Sequence, residues 1–446
     1  MKTMLPGTSA VLLGLWIGAA ASPAMGETAD NAASGQRAAD FGLRPEVQED
    51  QTPALQRFLD ATAAAGGGEA YLPAGRYILK GSVRLPSGVT LKGAWETPHH
   101  GTIHKGTMLL AYSGRGREDG PALLELGPSS AVRGLTIGYP EQRLNDLQPY
   151  PWTIHGRGMH NTIENVTLIN SWQGIAIGPE PNELHLIRNV FGCVLRRGIF
   201  IDRTTDIGRL ENVHFNPHYW NRSQLGGLGE NPQPNGDIAV GIAMQDRLEA
   251  FIFGRSDWQY VLNTFVFGAK VGYKVLLTDN GAMNGQFVGI GADACQYGLY
   301  VENCQFNGLQ VTNGEFATFD LRRAHRMKQP SPEAEWVAVR TAAQFDGVLK
   351  LTGCAFWGGH SHVLKLEGSG FVSLLQANIN DWRQPDAAVE VLGGRASIRD
   401  VWFRTKGTHV RVGPNVKRVQ VTGCFAEGGV VVETKAPEVT AIGANE

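Results

Sequence analysis

Four acidic residues, Asp202, Asp246, Asp279 and Glu302, each follow a short apolar run that opens on a Gly, at Gly198, Gly241, Gly272 and Gly298. If such runs are strands stacked side by side, equivalent residues meet across neighbours about 4.8 Å apart. Like charges on that spacing repel. Two carboxyls held close also separate in pKa, so that one stays protonated while the other ionises near neutral pH. Glycosidic hydrolysis uses that division: one carboxyl protonates the leaving oxygen, and the other attacks the sugar or activates water. Separations of about 5 Å go with retention and of about 6.5–9.5 Å with inversion. Any two of the four acids are the expected catalytic pair.

Other reactive residues surround this row. Lys274 and Arg340 fall on the same outward side, and Lys365 and Glu367 continue it. A Lys or Arg base beside a uronate is the requirement of a lyase or epimerase, which removes the proton next to the sugar carboxylate while calcium or another base neutralises that carboxylate. Calcium is expected only on that reading. Otherwise no cofactor is implied, and no zinc-like ligand spacing occurs. Tyr219, Trp220, Trp258 and Tyr300 offer aromatic faces to cover the C–H side of a sugar, and His214 and His218 offer ring nitrogens for its hydroxyls. The expected substrate-binding set is His218, Trp220, Trp258, Lys274, Tyr300 and Arg340. A polysaccharide or oligosaccharide is the partner implied.

The elements that must position these residues repeat one phrase: an apolar stretch, an Asn, a second apolar stretch, then a Gly opening a strict alternation. It runs from Thr162-Ile-Glu-Asn165 to Gly174-Ile-Ala-Ile177, and again from Leu186-Ile-Arg-Asn189 to Gly198-Ile-Phe-Ile201, with 24 residues between the two Gly. A period of that length with no helix inside it predicts a solenoid of stacked strands. Further strand phrases follow at Gly241, Gly272, Gly298, Val337, Val363, Val389, Val410 and Val430. Alternate residues of each strand point to opposite sides. That alternation places Asp202, Asp246, Asp279 and Glu302 at the outward ends. Long interruptions at 94–120, 138–153, 217–236 and 316–335 are expected to wall a groove. Pro53 and the apolar residues Leu55, Phe58 and Leu59 predict a short helix that covers the first coil.

Composition narrows the class. Forty Lys and Arg against 42 Asp and Glu leave no basic footprint for nucleic acid. The apolar run Ala10–Ala21 behind Lys2, ending at Ala24-Met25-Gly26, has the form of an export signal cleaved near Glu27. A secreted or periplasmic protein is expected, with no membrane span after cleavage. Cys193, Cys354 and Cys424, each after a Gly, suggest one interior slot in three coils rather than disulfides.

The stretches Ala39-Asp-Phe-Gly42, Ala54-Leu-Gln56, Gly67 through Pro73-Ala-Gly75-Arg-Tyr77 and Val89-Thr-Leu-Lys-Gly93 resemble the entrance module of the pectate-lyase-like superfamily, in particular family 28-related glycoside hydrolases. The resemblance implies an all-β, right-handed parallel β-helix with a short N-terminal capping helix, usually acting on polysaccharides. Homotrimers are common among such folds. The Asn-Thr-Asp, Asp-Asp, Gly-His-Gly and Arg-Ile-Lys motifs of family 28 polygalacturonases do not occur here, so no catalytic residue carries over. The expected layout is a signal at 1–26, a linker at 27–38, the cap and first coils at 39–92, the β-helix at 93–435 and a tail at 436–446. Hydrolysis by a carboxylate pair is the leading expectation, a lyase or epimerase the alternative, and a non-catalytic carbohydrate-binding protein the third.

Overall fold

A computed structural model describes residues 36–95, 102–225, 236–328 and 334–445. The expected export signal lies outside the described residues. The chain winds as a parallel β-helix in which each strand pairs in parallel with one from the coil before and one from the coil after. Long strands such as Thr162–Glu183 and Leu186–Ile201 bend through the corners and serve more than one face.

Inward residues form continuous apolar stacks. On the first face Ile163, Ile187, Leu210, Val261, Phe287 and Val311 lie in register. The second face stacks Phe215, Val266, Ala292, Phe316 and Phe356. The third stacks Ile175, Ile199, Phe251, Tyr273, Leu299 and Val339. All of these side chains are buried. Burial at about 25 cal/mol per Å² of apolar surface, repeated coil after coil, is the main stabilising term of such a stack.

The Asn of the repeat makes the corner between the first and second faces. Asn165, Asn189, Asn212, Asn263 and Asn313 all have φ between 51° and 56°, and Gly289, Gly353 and Gly423 fill the equivalent place in other coils. Asn is the side-chain-bearing residue that best tolerates this left-handed conformation. The side chains also bond along the stack: Asn189 Nδ2 donates to Asn165 Oδ1 at 3.0 Å, and Asn212 Nδ2 to Asn189 Oδ1 at 2.8 Å. The Gly of the repeat has a steric cause. A Cβ on Gly198 would lie 2.2 Å from the Ala250 carbonyl oxygen of the next coil.

The open first coil is covered by the helix Thr52–Ala64, which buries Leu55, Phe58 and Leu59. Asp50 steadies its start, accepting from the Thr52 N–H at 3.0 Å and hydroxyl at 2.6 Å. The stretch after Gly241, expected as a strand, lies in a helix, Gly236–Gln245. Val240 and Met244, four residues apart, are both fully buried, a spacing that suits a helical face. The strand of that coil is Glu249–Phe253, and Ala250 takes the place expected for Gly241. At the C-terminus Thr440–Ile442 pairs with Val419–Val421, so part of the expected tail is a further strand. All five cysteines are buried and free. Cys354 and Cys424 each follow a left-handed corner Gly, whereas Cys193 sits elsewhere, with its Sγ 3.5 Å from Met244 Sδ.

Candidate functional site

Three of the four expected acids come together around one turn of the third face, at residues 276–281. Asp202 is 2% exposed. It accepts from the backbone N–H groups of Arg203 and Arg255 at 2.9 and 2.7 Å, from Thr278 Oγ1 at 3.1 Å and from Asn280 Nδ2 at 2.9 Å. Those bonds make it a tie between coils. Glu302 accepts the Leu277 N–H at 3.2 Å, and Asp279 is exposed between Thr278 and Gly281. Asp246 is displaced from this group by the helix that ends just before it, and forms a two-bond pair with Arg322 at 2.8 and 2.7 Å.

The remaining residues of the third face balance one another. Lys274, Tyr300, Arg340 and Lys365 are in register on successive coils. Lys274 pairs with Glu249 at 2.7 Å, and Arg340 with Glu335 and Glu367, each at 3.1 Å. Burial pushes the Tyr300 phenol up, against the opposing pull of Arg340. Trp220, expected on the substrate, is fully buried, with Nε1 donating to the Leu225 carbonyl at 3.2 Å. Its place in the core follows from the short helix His218–Asn221, which turns it inward. His218 faces Asp237 at 3.3 Å. Trp258 is 58% exposed beside Arg255, Asp257, Asn284 and Gln305 on a shallow polar depression. The expected set is therefore spread over several places rather than gathered on one groove.

A pocket that combines two carboxyls with aromatic rings lies on the second face. Its outward column runs His214, Phe265, Gly291, Glu315 and Ala355, and a parallel column runs Phe267, Asp293, Ala317 and Trp357. Gly291 opens the floor: the Phe265 ring lies over it, and a Cβ there would meet the ring at 2.6 Å. The resulting cavity of about 340 Å³ is lined by Phe265, Gly291, Asp293, Glu315 and Trp357. Asp293 Oδ1 is buried and has no hydrogen-bond partner among the described residues. Burial pushes this carboxyl up to about 6, with the charge of Glu315 adding and the Ala294 N–H opposing. Glu315, on the next coil and exposed, accepts from Trp357 Nε1 at 2.8 Å. From the strand spacing and rise, the two Cα atoms are roughly 8 Å apart. His214 sets its ring edge against Phe265 at 4.9 Å, and burial holds its pKa below the usual value.

This pair was open to detection by counting from the corner residue rather than from the Gly. Glu315 stands two residues after Asn313, and Asp293 four after Gly289, the same offsets that place Phe265 after Asn263 and Trp357 after Gly353. Among the described residues no group of three or more Asp, Glu, His or Cys gathers as a cation site would require. No helix among them is long and apolar enough to cross a membrane.

Residues 37–111 match the family model described as rhamnogalacturonase A/epimerase, pectate lyase-like. A segment of 64 residues, 13% of this chain, is 44% identical to mannuronan C5-epimerase AlgE3 of Azotobacter vinelandii and spans only 4% of that protein. Among solved structures, the pre-mature gene product 12 of bacteriophage phi29 aligns with a TM-score of 0.62 at 12% identity, over 87% of this chain and 52% of that one. This chain thus spans about half of the phage protein. The A-module of mannuronan C-5 epimerase AlgE6 from Azotobacter vinelandii aligns with a TM-score of 0.51 at 13% identity, over 92% and 95% of the two chains. At such identities the structural likeness concerns the fold alone. In its entrance module and in its winding, this chain is similar to the pectate-lyase-like proteins and has their right-handed parallel β-helix, with no mark that selects family 28 among them.

Proposed function

We propose that this protein is a polysaccharide-active enzyme that cleaves glycosidic bonds by general acid–base catalysis at Asp293 and Glu315. The observation that carries the proposal is the carboxyl of Asp293, shielded so that it keeps its proton to about 6, in one pocket with an exposed acid on the next coil. A carboxyl that keeps its proton toward neutral pH suits the general acid, and an exposed carboxyl in the same pocket suits the base. Asp293 gives its proton to the leaving glycosidic oxygen as the C–O bond breaks. Glu315, oriented by Trp357, takes a proton from the water that attacks the anomeric carbon. Phe265 and Trp357 cover the apolar side of the ring. Export of the mature chain from near Glu27 belongs to the same proposal, and the N-terminal mass of secreted material tests it.

A panel of polysaccharides assayed in parallel for new reducing ends and for ultraviolet absorbance tests the reaction. Asp293→Asn and Glu315→Gln should each lower kcat by about 10²–10⁴-fold. Retained turnover in both removes the pair from the chemistry. The entrance-module match and the epimerase segment favour a second reading, epimerisation or β-elimination on a uronate polymer. Its base would be Lys274 or Arg340, both of which are engaged by carboxylates here, and its calcium would need ligands beyond those the described residues gather. An unsaturated product, or inversion at C5 without chain cleavage, would decide for it.

A further inference from the structure

A second, larger cavity of about 500 Å³ adjoins the Asp293 pocket, where the strands Glu315–Thr318 and Ala355–Gly358 end. Its walls include Asp320, Arg323, Trp336, Asp381, Trp382 and Arg383, over Gly358 and Gly359. Asp320 Oδ1 is occupied, accepting the Arg322 N–H at 2.8 Å and capping the short helix Leu321–Ala324. Asp320 Oδ2 is buried with no partner among the described residues, and the residue as a whole is 7% exposed. A buried carboxylate oxygen without a donor is unfavourable, and a ligand hydroxyl in this cavity would supply one. Asp381 accepts the Gly358 N–H at 3.0 Å, and burial pushes its carboxyl up. Arg383 donates to Ser361 Oγ. The Trp382 indole is fixed by its Nε1 bond to the Asp386 carbonyl at 2.9 Å.

We propose that this cavity binds a neutral, hydroxyl-rich sugar unit of the same polysaccharide chain, next to the unit that is cleaved. Two carboxylates accept from hydroxyls and two guanidinium groups donate to them, so the charged lining sums to zero. Trp336 offers an aromatic face beside them, and the cavity volume lies in the range of small-ligand sites. A uronate unit would bring a further carboxylate toward the partnerless oxygen of Asp320, which requires a donor. The substrate class rests on the proposed function, whereas the binding itself does not.

The full chain is titrated with cellohexaose, mannohexaose, xylohexaose and hexagalacturonate, read by calorimetry and by tryptophan fluorescence. At least one neutral hexasaccharide should bind, and Asp320→Asn should weaken that binding at least tenfold. Asn keeps the helix cap but presents a donor where Oδ2 accepted. Asp381→Asn and Trp336→Ala should weaken it severalfold, and they carry the test if Asp320→Asn does not fold. Equal binding by the Asp320, Asp381 and Trp336 variants, tighter binding of hexagalacturonate, or no binding of any neutral hexasaccharide overturns the proposal. Full activity in Asp293→Asn would instead overturn the catalytic reading and leave these binding results standing.

Discussion

Asp293 points away from the core, yet the pocket shields it enough to hold its proton to about 6. A general acid must be protonated to act, so kcat/KM should fall as pH rises through about 6, roughly tenfold per unit above it. A profile flat from pH 5 to 8 would remove Asp293 from that role. The same shift acts on stability. Its carboxyl binds a proton more tightly in the folded chain than at its ordinary value of 3.8, so its ionisation opposes folding. That contribution is absent at low pH, grows as pH climbs from about 3.8 through 6, and is complete above. Asp293→Asn should therefore be more stable than the parent at pH 7, by about 1–2 kcal/mol once its part-exposed position is allowed for. Urea midpoints at pH 4 and 7 check this, and the gain should vanish at pH 4. Lost turnover together with gained stability is the signature of a residue held for function.

The corner ladder and the outward columns act as elements. Asn189 holds a left-handed corner, accepts from Asn212 and donates to Asn165. Asn189→Ala should cost about 2–3 kcal/mol, combining the left-handed penalty for a Cβ-bearing residue with two lost bonds. Asn189→Gly should cost less, and denaturant unfolding of the two variants separates backbone strain from hydrogen bonding. The outward column of the second face continues beyond Glu315 through Ala355, Asn378, Trp402 and Phe425. Trp402 and Phe425 are each 49% exposed. They would support a long polysaccharide laid along the solenoid, so Trp402→Ala should raise KM severalfold for polymer while leaving short oligosaccharides unchanged. The strands themselves were legible in the sequence because inward residues alternate and the corner Asn recurs. Asp246 was misplaced because a short apolar run suits both a strand and the helix Gly236–Gln245. The proposed pocket is not reached by counting from Gly198, which selects the third face, where Lys274 and Arg340 are paired with carboxylates. Counting from Asn313 selects Glu315. No count could supply the shielding of Asp293 or the reach of Trp357 back across a coil, because both depend on how coils of unequal length stack.

Over the whole molecule, the two most strongly shifted histidines should weigh most in the response to acid. Burial depresses His185 to about 4 and His360 to about 3, from an ordinary 6.5. The folded chain thus keeps both rings neutral where the unfolded chain takes up protons. Stability is then fully present above about 6.5 and is lost as pH falls through the interval down to the folded values. Asp293 and Asp381, whose carboxyls burial pushes up, work in the opposite direction over part of that interval, while His214, His218 and His409, also held low by burial, act on the same side as His185 and His360, so the net slope is positive. A solenoid transmits such a loss between neighbours, since each coil is held mainly by the coils on either side. His185 lies beside Gly208 of the next coil, and His360 is bonded through Nδ1 to Thr318 of the preceding coil. Local protonation at either ring should therefore open the middle of the stack rather than only its ends. Thermal unfolding followed from pH 7 to 4.5 should show a falling midpoint. His185→Gln should flatten that fall while leaving the midpoint at pH 7 within a few degrees, and a midpoint as steep in the variant as in the parent would exclude the buried histidine as its cause. Because the five cysteines are free and buried, the same melts should be unchanged by a reducing agent, so any shift on reduction would point to a link between chains.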